Sequence, residues 1–242
     1  MNDSFDKAWT FYELMWDTKF FGVTSAKVIM HRPLAQNQWD EINGKISNYE
    51  FISIENRNSE PANAQLIGKG CSAFLADVNI QFVKKVKEST KFSEDITIES
   101  SLTINEKLIE LADFPISKFT EDLELAKRGG ELVYRQWLIN SFERSDKRFA
   151  VYWDENGSAN GFLLFSTSDN AYVIELVAVS QKVMRKGVGR SLFYAVEYDA
   201  YKNGINEIRV GTQVRNLGAI NFYHKVGCMQ VGCHQVFHLW NY

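Results

Sequence analysis

A mixed α/β fold, with a mostly antiparallel sheet flanked by helices, is what this sequence predicts, and three observations predict it. Short apolar runs bracket the turn signal Asp154-Glu155-Asn156-Gly157, the mark of an antiparallel hairpin. The run from Tyr172 to Val179 is nearly all apolar, as in a strand buried on both faces. From Val188 to about Asn203 the period changes to that of a helix, with Leu192, Phe193, Val196 and Ala200 on one face and Gly204 just past the end.

The elements follow in order. Ser25 to Met30 alternates and stops at Arg32-Pro33, so it reads as a strand. Leu34 to Ile46 is helical in pattern, with Trp39, Ile42 and Ile46 at i, i+3 and i+7. Phe51 to Ile54 is a short strand. Pro61 opens a further helix towards Ile67, with Gly68 and Gly70 as its stop. Ala73 to Val83 alternates again. Lys84 to Asn105, rich in Lys, Ser, Thr and Glu, reads as a connection with a short strand at Ile96-Ile98. The domains expected are therefore 1–100, a smaller unit, and 101–242. In the second, a helix over Leu123–Phe142 is interrupted near Gly129-Gly130. The hairpin Phe149–Trp153/Gly161–Phe165 follows, then the buried strand and long helix. A strand through Ile208 and Val210, a helix from about Leu217 to Val226 and a strand from about Val231 to Trp240 close the chain.

Composition bounds the function. The chain has 242 residues and a formal net charge of −3, so broad electrostatic capture of nucleic acid is not expected. No apolar run approaches the ~20 residues that span a bilayer, and Met1 to Asp6 is too polar for a secretory signal. Three cysteines make no disulfide framework. A soluble cytoplasmic protein is expected. Cys228, Cys233 and His234, with His224 and His238, lack the paired spacing of a metal site, so no metal is expected.

Chemistry concentrates in two segments. In the first, the strand through Val177, Ala178 and Val179 runs into Arg185-Lys186-Gly187-Val188-Gly189-Arg190, where two glycines open a helix. Glycine lets backbone amides approach a ligand, and those amides lie at the positive end of the helix dipole. With Arg185, Lys186 and Arg190 this makes a diphosphate cradle; the plainer reading is a tight turn. The third glycine of a dinucleotide fingerprint is Leu192, and no G-K-[ST] follows, so neither a Rossmann site nor a P-loop fits. In the second segment Asn216, Ala219 and Tyr223 share one helix face, closed by Gly227. An N-cap Asn and a core Tyr are the plainer reading there.

Taken together, Val177 to Arg190 and Asn216-x-x-Ala219-x-x-x-Tyr223-x-x-x-Gly227 resemble the two signature regions of the GNAT N-acetyltransferase superfamily. The resemblance implies a GNAT-type sheet and acetyl-CoA as cosubstrate. It implies that Val177, Ala178, Val179, the cradle, Asn216 and Ala219 hold the cosubstrate, and that Tyr223 is the general acid towards the departing thiolate. Two departures stand out: Met184 replaces the usual Arg or Gln, and Cys228 the usual Phe. Trp16-Asp17-Thr18-Lys19-Phe20-Phe21-Gly22-Val23-Thr24-Ser25-Ala26 and Arg209-Val210-Gly211-Thr212-Gln213 are similar to a narrower group, the TDP-fucosamine acetyltransferases. That likeness implies a nucleotide-linked amino sugar as substrate in surface-glycan synthesis, an N-terminal unit that is a partial copy of the GNAT fold, and a homodimer.

An alkyl amine with pKa ~10.4 is neutral only about once in 10³ molecules at pH 7, so transfer needs a base or a desolvated pocket. Alternation puts Glu175 on the same strand face as Val177 and Val179, where it could take the proton; a surface or salt-bridged carboxylate is the plainer reading. Other GNAT acceptors (a peptide N-terminus, a lysine, a polyamine) and a CoA-binding module without turnover are the competing functions.

Overall fold

The computed structural model describes residues 7–88 and 95–241. Met1 to Asp6, the middle of the Lys84–Asn105 connection and Tyr242 lie outside them. In chain order the elements begin β1 (Trp9–Glu13), α1 (Met15–Phe21), β2 (Ser25–Met30), α2 (Gln36–Ile46), β3 (Phe51–Asn56), α3 (Pro61–Gly70) and β4 (Phe74–Lys85). Next come β5 (Ile96–Ser100), α4 (Glu106–Leu111), the short α5 (Lys118–Glu121) and α6 (Leu123–Lys127), α7 (Val133–Ser141), β6 (Lys147–Trp153) and β7 (Ala159–Ser168). The chain ends with β8 (Ala171–Val179), α8 (Val188–Lys202), β9 (Glu207–Gln213), α9 (Leu217–Lys225) and β10 (Met229–Trp240).

Two compact units form, but not by a single cut near residue 100. Unit 1 comprises Met1–Ile80, Ile116–Gly130 and Gly232–Tyr242; unit 2 comprises Gln81–Pro115 and Glu131–Val231. The reason is long-range pairing that local pattern does not reveal. The end of β10 pairs antiparallel with β3, from Gln235↔Asn56 to Trp240↔Phe51, and so joins the N-terminal strands. The segment read as a connection holds β5, an edge strand paired with β6 from Ile96↔Tyr152 to Ser100↔Arg148.

In unit 1, β1 pairs antiparallel with β2, and β2 runs parallel to β3 along its whole length. One sheet face carries Val28, Met30, Ile52, Ile54 and Leu239, packed against Trp39, Ile42 and Ile46 of α2 and Ile67 of α3. Each such fully buried side chain contributes roughly 1.5–3 kcal/mol, which explains why the helical spacing in α2 was so legible. Helix α3 ends at Gly70, the second of the two glycines expected to stop it, where a Cβ would lie 2.1 Å from the Trp39 indole nitrogen.

In unit 2 the strand order is β9-β8-β7-β6-β5. All pairs are antiparallel except β8 with β9. The cluster of Leu108, Leu138, Phe149, Val151, Phe162, Leu164 and Leu176 packs one face against α4 and α7. Helix α8 covers the other face, where Arg148 reaches Asp199 and Tyr172 at 2.5–2.8 Å.

Among the described residues no helix is long and apolar enough to cross a membrane.

Candidate active site

The site grows from a disagreement between two parallel strands. β8 and β9 are in register only from Ala171↔Glu207 to Ile174↔Val210, although β8 continues to Val179 and β9 to Gln213. Past Ile174 the two strands therefore part company. The cause lies on the other side of β8. Opposite β7, Phe165 pairs with Ile174 and Leu164 with Leu176, so Glu175 is an extra residue, a β-bulge that turns the strand away.

The bulge also corrects the expected face of Glu175. An added residue breaks the alternation, so Glu175 does not share a face with Val177 and Val179. Its carboxylate accepts from Trp137 Nε1 of α7 at 3.1 Å and pairs with Lys147 Nζ at 2.5 Å, with only 8% of the side chain exposed. Val179 lies on the α8 side, where a Cβ on Gly161 would meet both its methyl and Leu192. Val177, Ala178 and Val179 are half-buried, unlike the fully covered start of the strand.

The loop after β8 is tied at its base and open at its tip. Asp154, in the hairpin turn, accepts from Asn160 Nδ2 at 2.7 Å, and Asn160 in turn accepts from the Ser180 hydroxyl at 2.8 Å and amide at 2.9 Å. Beyond Ser180 the chain turns through Arg185, at φ +63°, to Gly187, at φ +90°, the N-cap of α8. The first amide of this helix to find an acceptor is that of Ser191, on the Gly187 carbonyl. No acceptor among the described residues is found for the amides of Gly187, Val188, Gly189 and Arg190, the orphan donors of a helix start. Arg185, Lys186 and Arg190 are exposed around them, with no carboxylate within 4 Å among the described residues.

Helix α9 stands beside this cradle. A Cβ on Gly189 would come 3.5 Å from the Phe222 ring, so glycine there allows the two helices close contact. Asn216 caps α9, accepting from the Ala219 amide at 3.0 Å; the plainer sequence reading of that Asn is realised. Tyr223 is 3% exposed, its ring against Phe82 (5.5 Å) and Phe222 (5.2 Å). Burial, then the neighbouring Cys228, pushes its phenol above the ordinary range, so it is a protonated donor at neutral pH. Burial also lifts the Cys228 thiol, to about 11, leaving it inert.

The structure thus brings the cradle, the open end of β8 and α9 together, and sets Glu175 on the other sheet face. Sequence reasoning missed Trp137 and Lys147, whose link to Glu175 depends on the bulge. It also missed Lys84 of β4, which pairs with Glu197 at 3.2 Å and donates to the Val226 carbonyl at 2.6 Å. A Cβ on Gly227, at φ +84°, would lie 3.0 Å from that ammonium. Among the described residues no group of three or more His, Cys, Asp or Glu is placed to hold a metal.

Comparison with known proteins agrees with this architecture. Residues 110–228 match the sequence model of the acetyltransferase (GNAT) family. The spore coat polysaccharide biosynthesis protein SpsD of Bacillus subtilis (strain 168) is 22% identical over 137 residues, which are 56% of this chain and 47% of that protein. The chain therefore spans about half the length of that curated relative. The crystal structure of a GCN5-related N-acetyltransferase from Sphaerobacter thermophilus superposes with a TM-score of 0.61 at 14% identity, over 96% of this chain and 76% of the other. A tandem GNAT protein from the clavulanic acid biosynthesis pathway gives 0.54 at 11% identity, over 89% and 75%. These two likenesses establish the fold.

Proposed function

We propose, from the match of residues 110–228 to the sequence model of the acetyltransferase (GNAT) family, that the protein is an acyl-CoA-dependent N-acetyltransferase whose acceptor is the amino group of a nucleotide-linked amino sugar, of the TDP-4-amino-4,6-dideoxyhexose type, made for a surface glycan. The observation that carries the activity is the row of orphan amides from Gly187 to Arg190, ringed by unpaired cations, beside a strand edge that the splay leaves without a partner. A diphosphate followed by an amide-bearing arm fits that sequence of donors. Support for the glycan acceptor comes from the segment Trp16 to Ala26 and from SpsD's place in polysaccharide biosynthesis.

In this reading the Gly187–Arg190 amides and Arg185, Lys186 and Arg190 hold the diphosphate. The backbone of Val177, Ala178 and Val179 lines the arm, and Asn216 and Ala219 border it from α9. Acetyl-CoA supplies the activated acetyl group. Tyr223 delivers the proton that the departing sulfur requires, and the gain in rate comes mostly from holding amine and thioester together. Glu175 has both oxygens engaged, so its part is to fix Trp137 and Lys147 at the bulge. The amine's proton then passes to solvent, which a weakly basic sugar amine permits.

The N-terminal order β2-α2-β3-α3-β4 repeats the C-terminal order β8-α8-β9-α9-β10. We read this N-terminal run as a partial GNAT copy that has lost the cosubstrate slot. Its parallel strands stay paired throughout, and its first loop (His31-Arg32-Pro33-Leu34-Ala35) has no glycine. A cytoplasmic location and a homodimer go with this reading.

The test is CoA release from acetyl-CoA across an acceptor panel. TDP-amino sugars are expected to give the highest kcat/KM. A preference for a peptide N-terminus, lysine or polyamine would replace the acceptor class, and binding of acetyl-CoA with no release to any amine would replace the enzyme by a binding module.

A further inference from the structure

The unit 1 sheet ends in an unguarded strand. β1 is outermost and paired on one side only, antiparallel to β2 from Trp9↔Met30 to Glu13↔Ala26. His31 N donates to the Ala8 carbonyl and Leu14 N to the Ser25 carbonyl, each at 2.9 Å, so the even-numbered residues bond to β2. The amides and carbonyls of Trp9, Phe11 and Glu13 therefore face outward, and no acceptor for those amides is found among the described residues. Exposed edges are ordinarily blunted by proline, a bulge or a charge in the middle of the strand. The register of β1 is unbroken, it has no proline, and its one charged residue, Glu13, is its last.

Beside this edge, between β1 and α2, lies a groove of about 700 Å³ lined by Trp9, Phe11, Gln38 and Lys45. The Phe11 ring lies 5.4 Å from that of Tyr49, and the Lys45 ammonium stands 5.8 Å from it. Tyr49 donates its hydroxyl to Glu13 at 2.6 Å, which fixes that carboxylate at one end of the strand. At the other end Lys7 is exposed, with no ion-pair partner among the described residues. Met15, exposed just past the strand, adds apolar surface.

The sequence of this edge is complementary to itself. Lys7-Ala8-Trp9-Thr10-Phe11-Tyr12-Glu13 can be laid antiparallel on a second copy with Thr10 on the twofold axis. Trp9 then meets the partner's Phe11, Lys7 the partner's Glu13, the small Ala8 the partner's large Tyr12, and Thr10 the partner's Thr10. Aromatic pairs, opposite charges and Thr–Thr pairs are the cross-strand combinations that stabilise a sheet. In this register Trp9 and the partner's Phe11 join through their outward amides. Their rings stand on the α2 face, so each copy's Trp9 enters the groove of the other. A slip of the pairing by two residues either way lays Lys7 or Glu13 on an aromatic ring instead.

We infer that two copies of this chain associate through the open edge of β1, by antiparallel β1–β1 pairing that continues the unit 1 sheet across a twofold axis at Thr10. A short strand pair alone is small for a stable dimer, and the rings seated in the two grooves supply the remaining contact. The inference rests on this edge, not on the activity or the acceptor proposed above.

The experiment is analytical ultracentrifugation of the full chain over a range of concentrations, in which the wild type is expected to form a dimer. Lys7→Glu and Glu13→Lys each set like charges face to face, and each should weaken association at least ~10-fold, because the twofold axis repeats every mismatch. The double variant restores opposite charges and should return to within about threefold of the wild type. Thr10→Cys tests the register: residues opposed on the axis have Cα atoms ~4.5 Å apart in this kind of pair, within disulfide reach. Mild oxidation should link that variant into a covalent dimer, while Tyr12→Cys and the wild type, which carries Cys71, Cys228 and Cys233, stay unlinked. A monomer at every concentration, a dimer indifferent to the single charge changes, or linkage through Tyr12→Cys as ready as through Thr10→Cys overturns the inference. A monomer would also remove the homodimer set beside the proposed function, whose acetyl transfer is read separately by CoA release.

Discussion

Replacing Tyr223 by Phe isolates one hydroxyl. The ring is packed between Phe82 and Phe222 and stays so in the variant. No hydrogen bond to the hydroxyl is found among the described residues, so its loss costs less than about 1 kcal/mol of stability. A positioned general acid contributes about 10²–10⁴ in rate, or roughly 3–5 kcal/mol of barrier. The variant should therefore fold and melt like the parent, bind acetyl-CoA within about threefold of it, and lose at least ~100-fold in kcat. Burial holds the phenol above its ordinary range, so the wild-type rate should show no loss of a protonated Tyr223 between pH 6 and ~9. Thiol detection of released CoA under saturation by both substrates measures kcat directly. A variant within threefold of the wild-type kcat would remove Tyr223 from the acid role.

Other outcomes follow from the same structure. Lys84→Met leaves the Glu197 carboxylate, 10% exposed, without its cation, and should cost about 3–5 kcal/mol in urea denaturation; Lys84→Met combined with Glu197→Gln should recover part of that, and strict additivity would refute the charge argument. Gly187→Ala places a side chain at φ +90° and should cost about 1–2 kcal/mol as well as acetyl-CoA affinity, whereas Gly44→Ala, with open space in α2, should stabilise by up to ~1 kcal/mol. The Lys118 amine titrates near 8 in the folded chain, against an ordinary value of 10.5. The unfolded chain thus binds more protons between those values, the penalty is fully present below pH 8, and stability rises as pH climbs through about 10.5. The rise is about 3 kcal/mol; in Lys118→Met, compared with wild type by denaturation at several pH values, it should vanish.

What the sequence made legible was local. The stripe of Trp39, Ile42 and Ile46, the Asp154–Gly157 hairpin and the glycine pair at the start of α8 all declare themselves within a few residues, because period and turn chemistry are short-range properties. The cradle and the α9 face were readable for that reason. The bulge at Glu175 was not, since one extra residue in a strand leaves no mark on an apolar run until the partner strand is known. The pairing of β10 with β3 and of β5 with β6 was hidden by sequence distance, and with it the interleaving of the two units.

The central claim is that the amides of Gly187, Val188, Gly189 and Arg190 are left unbonded in order to receive a diphosphate. A crystal structure with acetyl-CoA bound tests it most directly. The account predicts diphosphate oxygens within hydrogen-bond distance of those four amides and the thioester arm along Val177–Val179; a diphosphate seated elsewhere, with the four amides still unbonded, would contradict it.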